Sequence, residues 1–276
     1  MRHSDLIQQI RVKKSFLCIG LDLDIDRLPS PFKKNIDSLF SFSKDIIDAT
    51  SAYSIAYKPN LAFFEAYGAK GWGVLEQIMD YINSTYPELF TIADAKRGDI
   101  GTSSERYAKA FFEVLNFDAV TLSPYMGRDS ISPFLAYKNK HVILLGLTSN
   151  LGAQDFQLLG EGKNTWFAQV IQNSQTWSNS DRIWYVVGAT KAEYLKLVRS
   201  LVPNTFLLVP GIGAQGGNLS EVVRFGLNEQ CGLLVNSSRG IIYKSNGSDF
   251  ARAAEVQSHK LQSEMEVYLK DIRDFL

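Results

Sequence analysis

Short hydrophobic, β-branched runs recur eight times along the chain, and segments in which apolar residues follow helical spacing separate most of them. The runs predict strands over residues 16–21, 54–57, 90–93, 119–122, 142–148, 182–188, 205–209 and 232–236. The clearest intervening segments predict helices over residues 41–51, 73–84, 103–115, 166–177, 191–201 and 219–225. Thr102 and Glu105 form a capping-box pattern at the start of the third helix. Parallel strands need a crossover connection, usually a helix, so this alternation predicts a parallel sheet.

The number of repeats separates two α/β architectures. Eight strand–helix repeats favour a closed (β/α)8 TIM barrel over an open doubly wound sheet. The 276 residues suit one such barrel, and no change in composition marks a second domain. The sequence therefore predicts a single barrel domain over residues 1–276, with a helix in the stretch 249–276 packed on its outside.

Charge and hydropathy exclude several classes of partner. Lys+Arg and Asp+Glu both total 29, and no long block of like charge suggests binding to nucleic acid or to an anionic membrane. No run of 18 apolar residues occurs, and the N-terminal segment lacks the apolar centre of a signal peptide. We therefore expect a cytoplasmic protein. The two cysteines, Cys18 and Cys231, match no metal or redox motif and are predicted to be buried free thiols.

A barrel places its chemistry at the carboxyl ends of its strands, so polar residues at those positions are candidates for an active site. Six of the predicted strands do end in such residues. They lead into Asp22, Lys58, the stretch Asp94 to Asp99, Ser149, the segment 210–217 and the segment 238–240.

The stretch Asp94-Ala-Lys96-Arg-Gly-Asp99 follows the third predicted strand. Side chains alternate along a strand, so Asp94 and Lys96 point to the same side, while Asp99 lies beyond the strand end. Taken alone, this pattern is more typical of a solvated ion pair, which contributes little to stability. Its position at the mouth of a barrel favours a catalytic interpretation.

The segments after the seventh and eighth predicted strands suggest a phosphate site. Glycines in the stretch 213–217, Gly217 among them, come directly before a helical run, where backbone N–H groups can approach an anion. Arg239, next to Gly240, supplies a planar cation for the same anion. Many barrels bind phosphate with these two loops.

The candidate chemistry at the mouth relies on lysine and aspartate. The three histidines, His3, His141 and His259, lie away from the strand ends, and no metal-ligand set is evident. Flanking carboxylates favour a protonated lysine, which opposes a Schiff-base role. Lys96 is therefore predicted to donate a proton, in a reaction that develops carbanion character on the substrate.

The segment from Thr91 to Gly101, with its D-A-K-R-G-D-I-G core, resembles the signature of orotidine 5'-phosphate decarboxylases of the longer bacterial subfamily. Supporting similarities span most of the chain. They are Gly20-Leu-Asp22, Tyr57-Lys58-Pro-Asn60, Thr148-Ser149-Asn150, the segment 210–217 and Ser238-Arg239-Gly240.

The resemblance implies decarboxylation of orotidine 5'-phosphate to uridine 5'-phosphate and CO2 in UMP biosynthesis, without a cofactor or a metal. The implied catalytic residues are Lys58, Asp94, Lys96 and Asp99. Lys96 would protonate the C6 carbanion that remains after CO2 departs. Asp99 would cross to the neighbouring site of a homodimer.

The predicted substrate-binding residues are Asp22, Lys58, Ile100, Ser103, Ser149, Gln215, Gly217, Arg239 and Gly240. By the resemblance, Asp22 and Lys58 hold the ribose, Ser149 holds the pyrimidine, and Gln215 with Arg239 grips the phosphate. Ile100 and Ser103 would reach the neighbouring site of the dimer.

The chain departs from the usual family pattern at two positions, and its sequence leaves some alternatives open. Ser103 stands where threonine is usual, and Leu151 stands where proline is more frequent. The segment 154–164 is either part of a lid or a plain surface loop. One alternative function is a metal-dependent sugar-phosphate decarboxylase or aldolase of the same barrel suite. Another is a catalytically silent nucleotide-binding barrel.

Overall fold

Eight strands form the centre of the computed structural model, which describes residues 1–189, 192–212, 217–273 and 275–276. The strands are Leu17–Leu21 (β1), Ala56–Pro59 (β2), Phe90–Arg97 (β3), Ala119–Leu122 (β4), His141–Leu147 (β5), Ile183–Val187 (β6), Leu207–Pro210 (β7) and Leu233–Ser237 (β8). All eight neighbouring pairs are parallel, and β1 pairs with both β2 and β8. The strands therefore close into a barrel in sequence order, which confirms the predicted fold class.

Helices of the described residues connect and surround the strands. They are His3–Lys13 (α1), Asp37–Thr50 (α2), Leu61–Glu65 (α3), Gly68–Thr85 (α4), Gly101–Lys109 (α5), Ser132–Leu135 (α6), Trp166–Gln175 (α7), Ala192–Leu201 (α8), Leu219–Gly226 (α9), Arg239–Ile242 (α10) and Phe250–Lys270 (α11). Helix α11 buries Phe250, Ala254 and Leu269 and contacts α2, so the predicted C-terminal helix lies on the outside of the barrel.

Three local predictions for the third strand and the helix after it differ from the structure. The third strand continues past Ala93 to Arg97, because Arg97 still pairs with Leu122 of β4. The predicted capping box at Thr102 and Glu105 is wrong, because α5 begins at Gly101 after Ile100 and has no side-chain cap. That helix ends in a π-helical turn, Ala110–Val114, where a single helix was predicted over 103–115.

The barrel interior is apolar at its amino-terminal end. There Trp184 lies 4.3 Å from His141 and 5.2 Å from Phe90, measured between ring centroids. Burial lowers the pKa of His141 to about 3, so the ring is neutral at physiological pH. Both cysteines are free and buried, as predicted, and burial raises the pKa of each thiol to about 12. Neither a reactive thiol nor a charged histidine therefore stands among these core groups.

Within the ranges given above, we find no helix that combines the length and the apolar character needed to cross a bilayer.

Candidate active site

A cavity of about 390 Å³ opens at the carboxyl ends of the strands, a volume typical of small-molecule sites. Every strand except β4 contributes to its wall, directly or through the loop that follows it. Its described lining residues are Asp22, Lys58, Asn60, Asp94, Lys96, Leu145, Thr148, Ser149, Asn150, Val186, Leu208, Pro210, Gly211, Ile212, Asn236, Ser238 and Arg239. The structure thus brings together six of the residues singled out from the sequence, namely Asp22, Lys58, Asp94, Lys96, Ser149 and Arg239.

Asp94 lies between two lysines on one wall of this cavity. Lys58 Nζ lies 2.5 Å from Asp94 Oδ2, and Lys96 Nζ donates to Asp94 Oδ1. The side chains of Lys58 and Asp94 are 5% and 10% exposed, whereas that of Lys96 is 50% exposed. Lys58 is therefore a buried partner of Asp94, and Lys96 is the cation that reaches into the open part of the cavity.

Burial and charge act in opposite directions on this group. Burial by itself would raise the pKa of Asp94, but the two ammonium groups outweigh it and hold the pKa well below its usual range. Burial would lower the pKa of Lys58, but the carboxylates of Asp94 and Asp22 outweigh it and raise the pKa. Asp94 is therefore ionised and Lys58 protonated across the physiological pH range.

A bulge in β3 sets the direction of these side chains. The register between β3 and β4 shifts between Ala93 and Arg97, and Lys96 has a φ of 48°, in the left-handed region. A residue with a Cβ pays roughly 1–2 kcal/mol for that backbone conformation. Strained backbone of this kind is concentrated at functional sites. Simple alternation along a strand is thus not what brings Lys96 to Asp94, although the two do share one side.

Thr121 of β4 stabilises the bulge, and the sequence interpretation missed it. Its hydroxyl donates to Asp94 Oδ1 at 3.2 Å and accepts from the Lys96 backbone N–H at 3.0 Å. The side chain is almost fully buried, with 1% exposure. Threonine is common in strands, so only its position beside β3 marks it as part of the site.

The opposite wall of the cavity is apolar. Leu145, Val186, Leu208 and Ile212 come from β5, β6, β7 and the residues directly after β7. All except Leu145 are buried. An apolar wall lowers the local dielectric and strengthens electrostatic interactions with the charged wall. The cavity can therefore hold a flat ring between apolar side chains and fixed charges.

Three further predicted residues lie around the rim. Asp22 follows β1, and its Oδ1 is buried and has no hydrogen-bond partner in the part of the chain that the structure describes. Ser149 follows β5, and a Cβ at Gly188 would come within 2.7 Å of the Ser149 Cβ, so glycine permits this close approach. Arg239 is exposed and begins α10.

The segment 154–164 is tied to the strand end that carries Ser149. Gln157 Oε1 accepts from the backbone N–H of Thr148 at 2.7 Å, and Gln157 Nε2 lies 2.8 Å from Thr148 Oγ1. Phe156 and Leu159 on either side of it are exposed. These contacts fit both a lid and a surface loop, so the two alternatives for this segment stay open.

Asp99, Ile100 and Ser103 are not among the described residues that line this cavity. Asp99 accepts a hydrogen bond from the Ile100 N–H at 2.8 Å. Ile100 is 49% exposed, and Ser103 is also exposed. These three residues therefore form a surface beside the mouth, and their predicted roles stay predictions.

The predicted phosphate loop is described only in part. Gln215 lies outside the described residues. The N–H of Gly217 donates to the Gly211 carbonyl at 3.1 Å, and a Cβ at Gly217 would come within 2.7 Å of that carbonyl oxygen. Close packing thus accounts for glycine at 217, and a binding role for its N–H stays a prediction. Gly240 lies in α10 beside Arg239.

No group of three or more His, Cys, Asp or Glu side chains comes close enough to hold a metal ion anywhere in the ranges that the structure covers. The charged wall of the cavity instead alternates lysine and aspartate. Such an arrangement can neutralise and redistribute negative charge on a bound anion, and it can supply a proton from an ammonium group.

Comparison with known proteins gives concordant results. Residues 15–254 match the family described as "Orotidine 5'-phosphate decarboxylase / HUMPS family". The orotidine 5'-phosphate decarboxylase of Flavobacterium johnsoniae is 58% identical over 265 residues, which cover 96% of this chain and 97% of that protein. The enzyme of the same name from Bacteroides fragilis is 52% identical over 99% of this chain and 100% of its own length.

Solved structures agree in fold. The OMP decarboxylase of Leishmania donovani superposes with a TM-score of 0.81 at 35% identity, covering 97% of this chain and 100% of its own. The UMP synthase of the same organism gives a TM-score of 0.83 at 37% identity over 96% of this chain. This chain spans 57% of that longer protein. From the barrel, the lysine–aspartate wall and these similarities, we conclude that the chain belongs to the orotidine 5'-phosphate decarboxylase / HUMPS family.

Proposed function

We propose that this chain decarboxylates orotidine 5'-phosphate through a C6 carbanion that Lys96 protonates. Family membership and the names of its relatives support an enzyme of pyrimidine biosynthesis, a carboxy-lyase that yields uridine 5'-phosphate and CO2. The observation that carries the mechanism is the ionised Asp94 held between Lys58 and Lys96 on the cavity wall.

The proposed step redistributes charge beside these groups. The bond from C6 to the carboxylate breaks, CO2 leaves, and the electron pair stays on C6. A proton then passes from Lys96 Nζ to C6, and the lysine recovers a proton from water. In this proposal the substrate carboxylate lies beside Asp94 and C6 lies beside Lys96. As CO2 leaves, negative charge of the substrate therefore moves away from the Asp94 carboxylate and toward the ammonium of Lys96. Such an interaction is stronger in the transition state than in the bound substrate, which is the condition for acceleration.

The barrier for such a reaction is large, and enzymes lower barriers of slow reactions by up to about 23 kcal/mol. Fixed charges beside the pyrimidine ring supply one part of this reduction in the barrier. Binding energy from the remote phosphate can supply another, because it orients the ring and drives closure of loops. In this proposal Arg239 and Gln215 hold the phosphate, with the backbone of Gly217 and Gly240 nearby.

The remaining contacts divide between ribose and ring. Asp22 and Lys58 hold ribose hydroxyls. The charge of Lys58 also keeps the neighbouring Asp94 ionised. Ser149 binds the pyrimidine, and the apolar wall covers its face. No cofactor takes part in the proposed reaction.

We also propose a homodimer in which Asp99, Ile100 and Ser103 complete the neighbouring site. Their place on the surface beside the mouth, and the 49% exposure of the apolar Ile100, support this arrangement. Asp99 would then add a carboxylate to the array of Lys58, Asp94 and Lys96.

We further propose that residues 1–276 form one domain and that the protein acts in the cytoplasm. The family match over residues 15–254 and the barrel strands from Leu17 to Ser237 support the first point. The two free, buried thiols are compatible with the second.

Turnover of orotidine 5'-phosphate, followed by ultraviolet absorbance, tests the function. The purified protein should convert it to uridine 5'-phosphate, and a metal chelator should leave the rate unchanged. No turnover would refute the proposal. Turnover that stops with the chelator and returns with a divalent metal would favour the metal-dependent alternative from the same barrel suite.

Mixing of two inactive variants tests the dimer. Asp99→Ala and Lys96→Ala should each be inactive, but a heterodimer contains one site with both native residues. Activity should therefore return after subunit exchange. Verified exchange without recovery would place Asp99 in the site of its own subunit.

A further inference from the structure

Two buried oxygen atoms at the cavity have no hydrogen-bond partner among the described residues. They are Oδ1 of Asp22 and Oδ1 of Asn236, and both residues line the cavity. Asn236 is 7% exposed. An unpaired buried oxygen costs about 1–3 kcal/mol, and native proteins pair nearly all such groups. Two such oxygens at one cavity indicate a ligand that brings hydrogen-bond donors.

The fold directs Asn236 toward the strand that leads to Asp22. Asn236 lies on β8, opposite Cys18 of β1 and Pro210 of β7. A Cβ at Gly20 of β1 would come within 3.2 Å of Asn236 Oδ1. The absence of that Cβ makes room for the amide against β1, two residues before Asp22. The same Cβ would come within 2.7 Å of the Ser238 Cβ, so glycine at 20 makes room for both Ser238 and Asn236.

The chemistry of the two oxygens restricts the ligand group. An amide oxygen and a carboxylate oxygen both accept hydrogen bonds. The carboxylate and phosphate of orotidine 5'-phosphate are acceptors as well, so neither can satisfy them. Its donors are the ring N–H and the two ribose hydroxyls. Since Ser149 is assigned to the ring, the hydroxyls remain.

We propose that Asn236 accepts a hydrogen bond from one of the two ribose hydroxyls and, beside Asp22, makes the site discriminate against a nucleotide that lacks that hydroxyl. This inference rests on the proposed function, since it takes orotidine 5'-phosphate as the substrate. A buried site that pairs with a hydroxyl rejects an analogue without it, because its own oxygen is then left unpaired.

The test compares three substrates: orotidine 5'-phosphate and its 2'-deoxy and 3'-deoxy analogues. Values of kcat/KM are measured for the wild type, Asn236→Ala and Asn236→Leu, with Asn173→Ala on the exposed face of α7 as the matched control. Two variants are used because alanine leaves space and leucine fills it, so at least one is expected to retain the fold.

Wild type should lose about tenfold or more in kcat/KM when one of the two hydroxyls is removed. In the Asn236 variants, KM for the full substrate should rise, and loss of that same hydroxyl should cost less than about threefold. The control, Asn173→Ala, should discriminate between the full substrate and the deoxy analogues as wild type does. If Asn236 had a purely structural role, its replacement would lower kcat/KM for all three substrates alike. The ratio of kcat/KM between the full substrate and each deoxy analogue would then stay at the wild-type value.

Two results would overturn the inference while leaving the function intact. One is a wild type that accepts both deoxy analogues as well as the full substrate. The other is a folded Asn236 variant with unchanged discrimination, which would mean that the amide pairs with water or with the ring N–H. Failure of wild type to turn over orotidine 5'-phosphate would instead remove the proposed function and this inference together.

Discussion

Replacement of Asp94 by asparagine is expected to destabilise the fold, although the two side chains have nearly the same shape. Lys58 is buried, and its ammonium lies 2.5 Å from Asp94 Oδ2. Removing one partner of a buried pair typically costs about 3–5 kcal/mol, because the other charge is left uncompensated. Asp22 still attracts Lys58, and the cavity admits water. We therefore expect the low end of that range, about 3 kcal/mol.

Urea unfolding at pH 7 and at lower pH measures this cost. The pKa of Asp94 lies below its usual range in the folded state, so its contribution is complete above the unfolded pKa of about 3.9. It is lost as the pH falls through the lower folded pKa. The difference between wild type and Asp94→Asn should accordingly be full at pH 7 and shrink in acid.

Glu266→Gln provides the matched control. Glu266 also contacts two lysines, Lys14 and Lys270, but on the surface of α11. Exposed pairs contribute little, so this variant should unfold at nearly the wild-type urea concentration. If Asp94→Asn were as stable as wild type at pH 7, the desolvation of Asp94 would balance its ion pairs, and our reasoning on the charged wall would be wrong.

Two further predictions concern the bulge. Lys96→Gly should be more stable to urea than Lys96→Ala by about 1 kcal/mol, because the φ of 48° strains a residue with a Cβ; equal stabilities would argue against that backbone. Thr121→Val should lower the unfolding free energy by about 1–3 kcal/mol, since the Lys96 N–H loses its acceptor. It should also lower kcat about tenfold with little change in KM, by loosening Asp94. Thr121→Ser should restore both values, and wild-type kcat in Thr121→Val would show that the hydroxyl does not position Asp94.

The barrel was predictable because each strand is a short buried run followed by a connection of helical character. The fourth strand, Ala119–Leu122, lies where the sequence predicts it. The end of the third was not predictable from local pattern. Its last residues are polar and remain in the strand because Arg97 pairs with Leu122, which is a tertiary contact. The start of α5 was also misjudged, because Ile100 and Gly101 carry no capping signal.

The site was predictable because charged residues that directly follow buried, apolar strands are unusual. Asp94, Lys96 and Lys58 stand out for that reason, and the structure places them together. Thr121 and Asn236 do not stand out, because short polar residues within apolar strands are ordinary, and only the neighbouring strands reveal their contacts. For Asp99, one chain does not contain the predicted partner site.

The most direct test of the account is the rate at which purified Lys96→Ala converts orotidine 5'-phosphate. The side chain is half exposed, so the variant should keep its fold, as judged by circular dichroism and urea unfolding. Loss of a general acid typically costs 10²–10⁴-fold, and Lys96 also provides charge at C6, so we expect a loss of at least about a thousandfold. Lys70→Ala, an exposed site on α4, should retain the wild-type rate. A folded Lys96→Ala within about tenfold of wild type, a loss smaller than general acid catalysis supplies, would contradict the assignment of Lys96 as the proton donor.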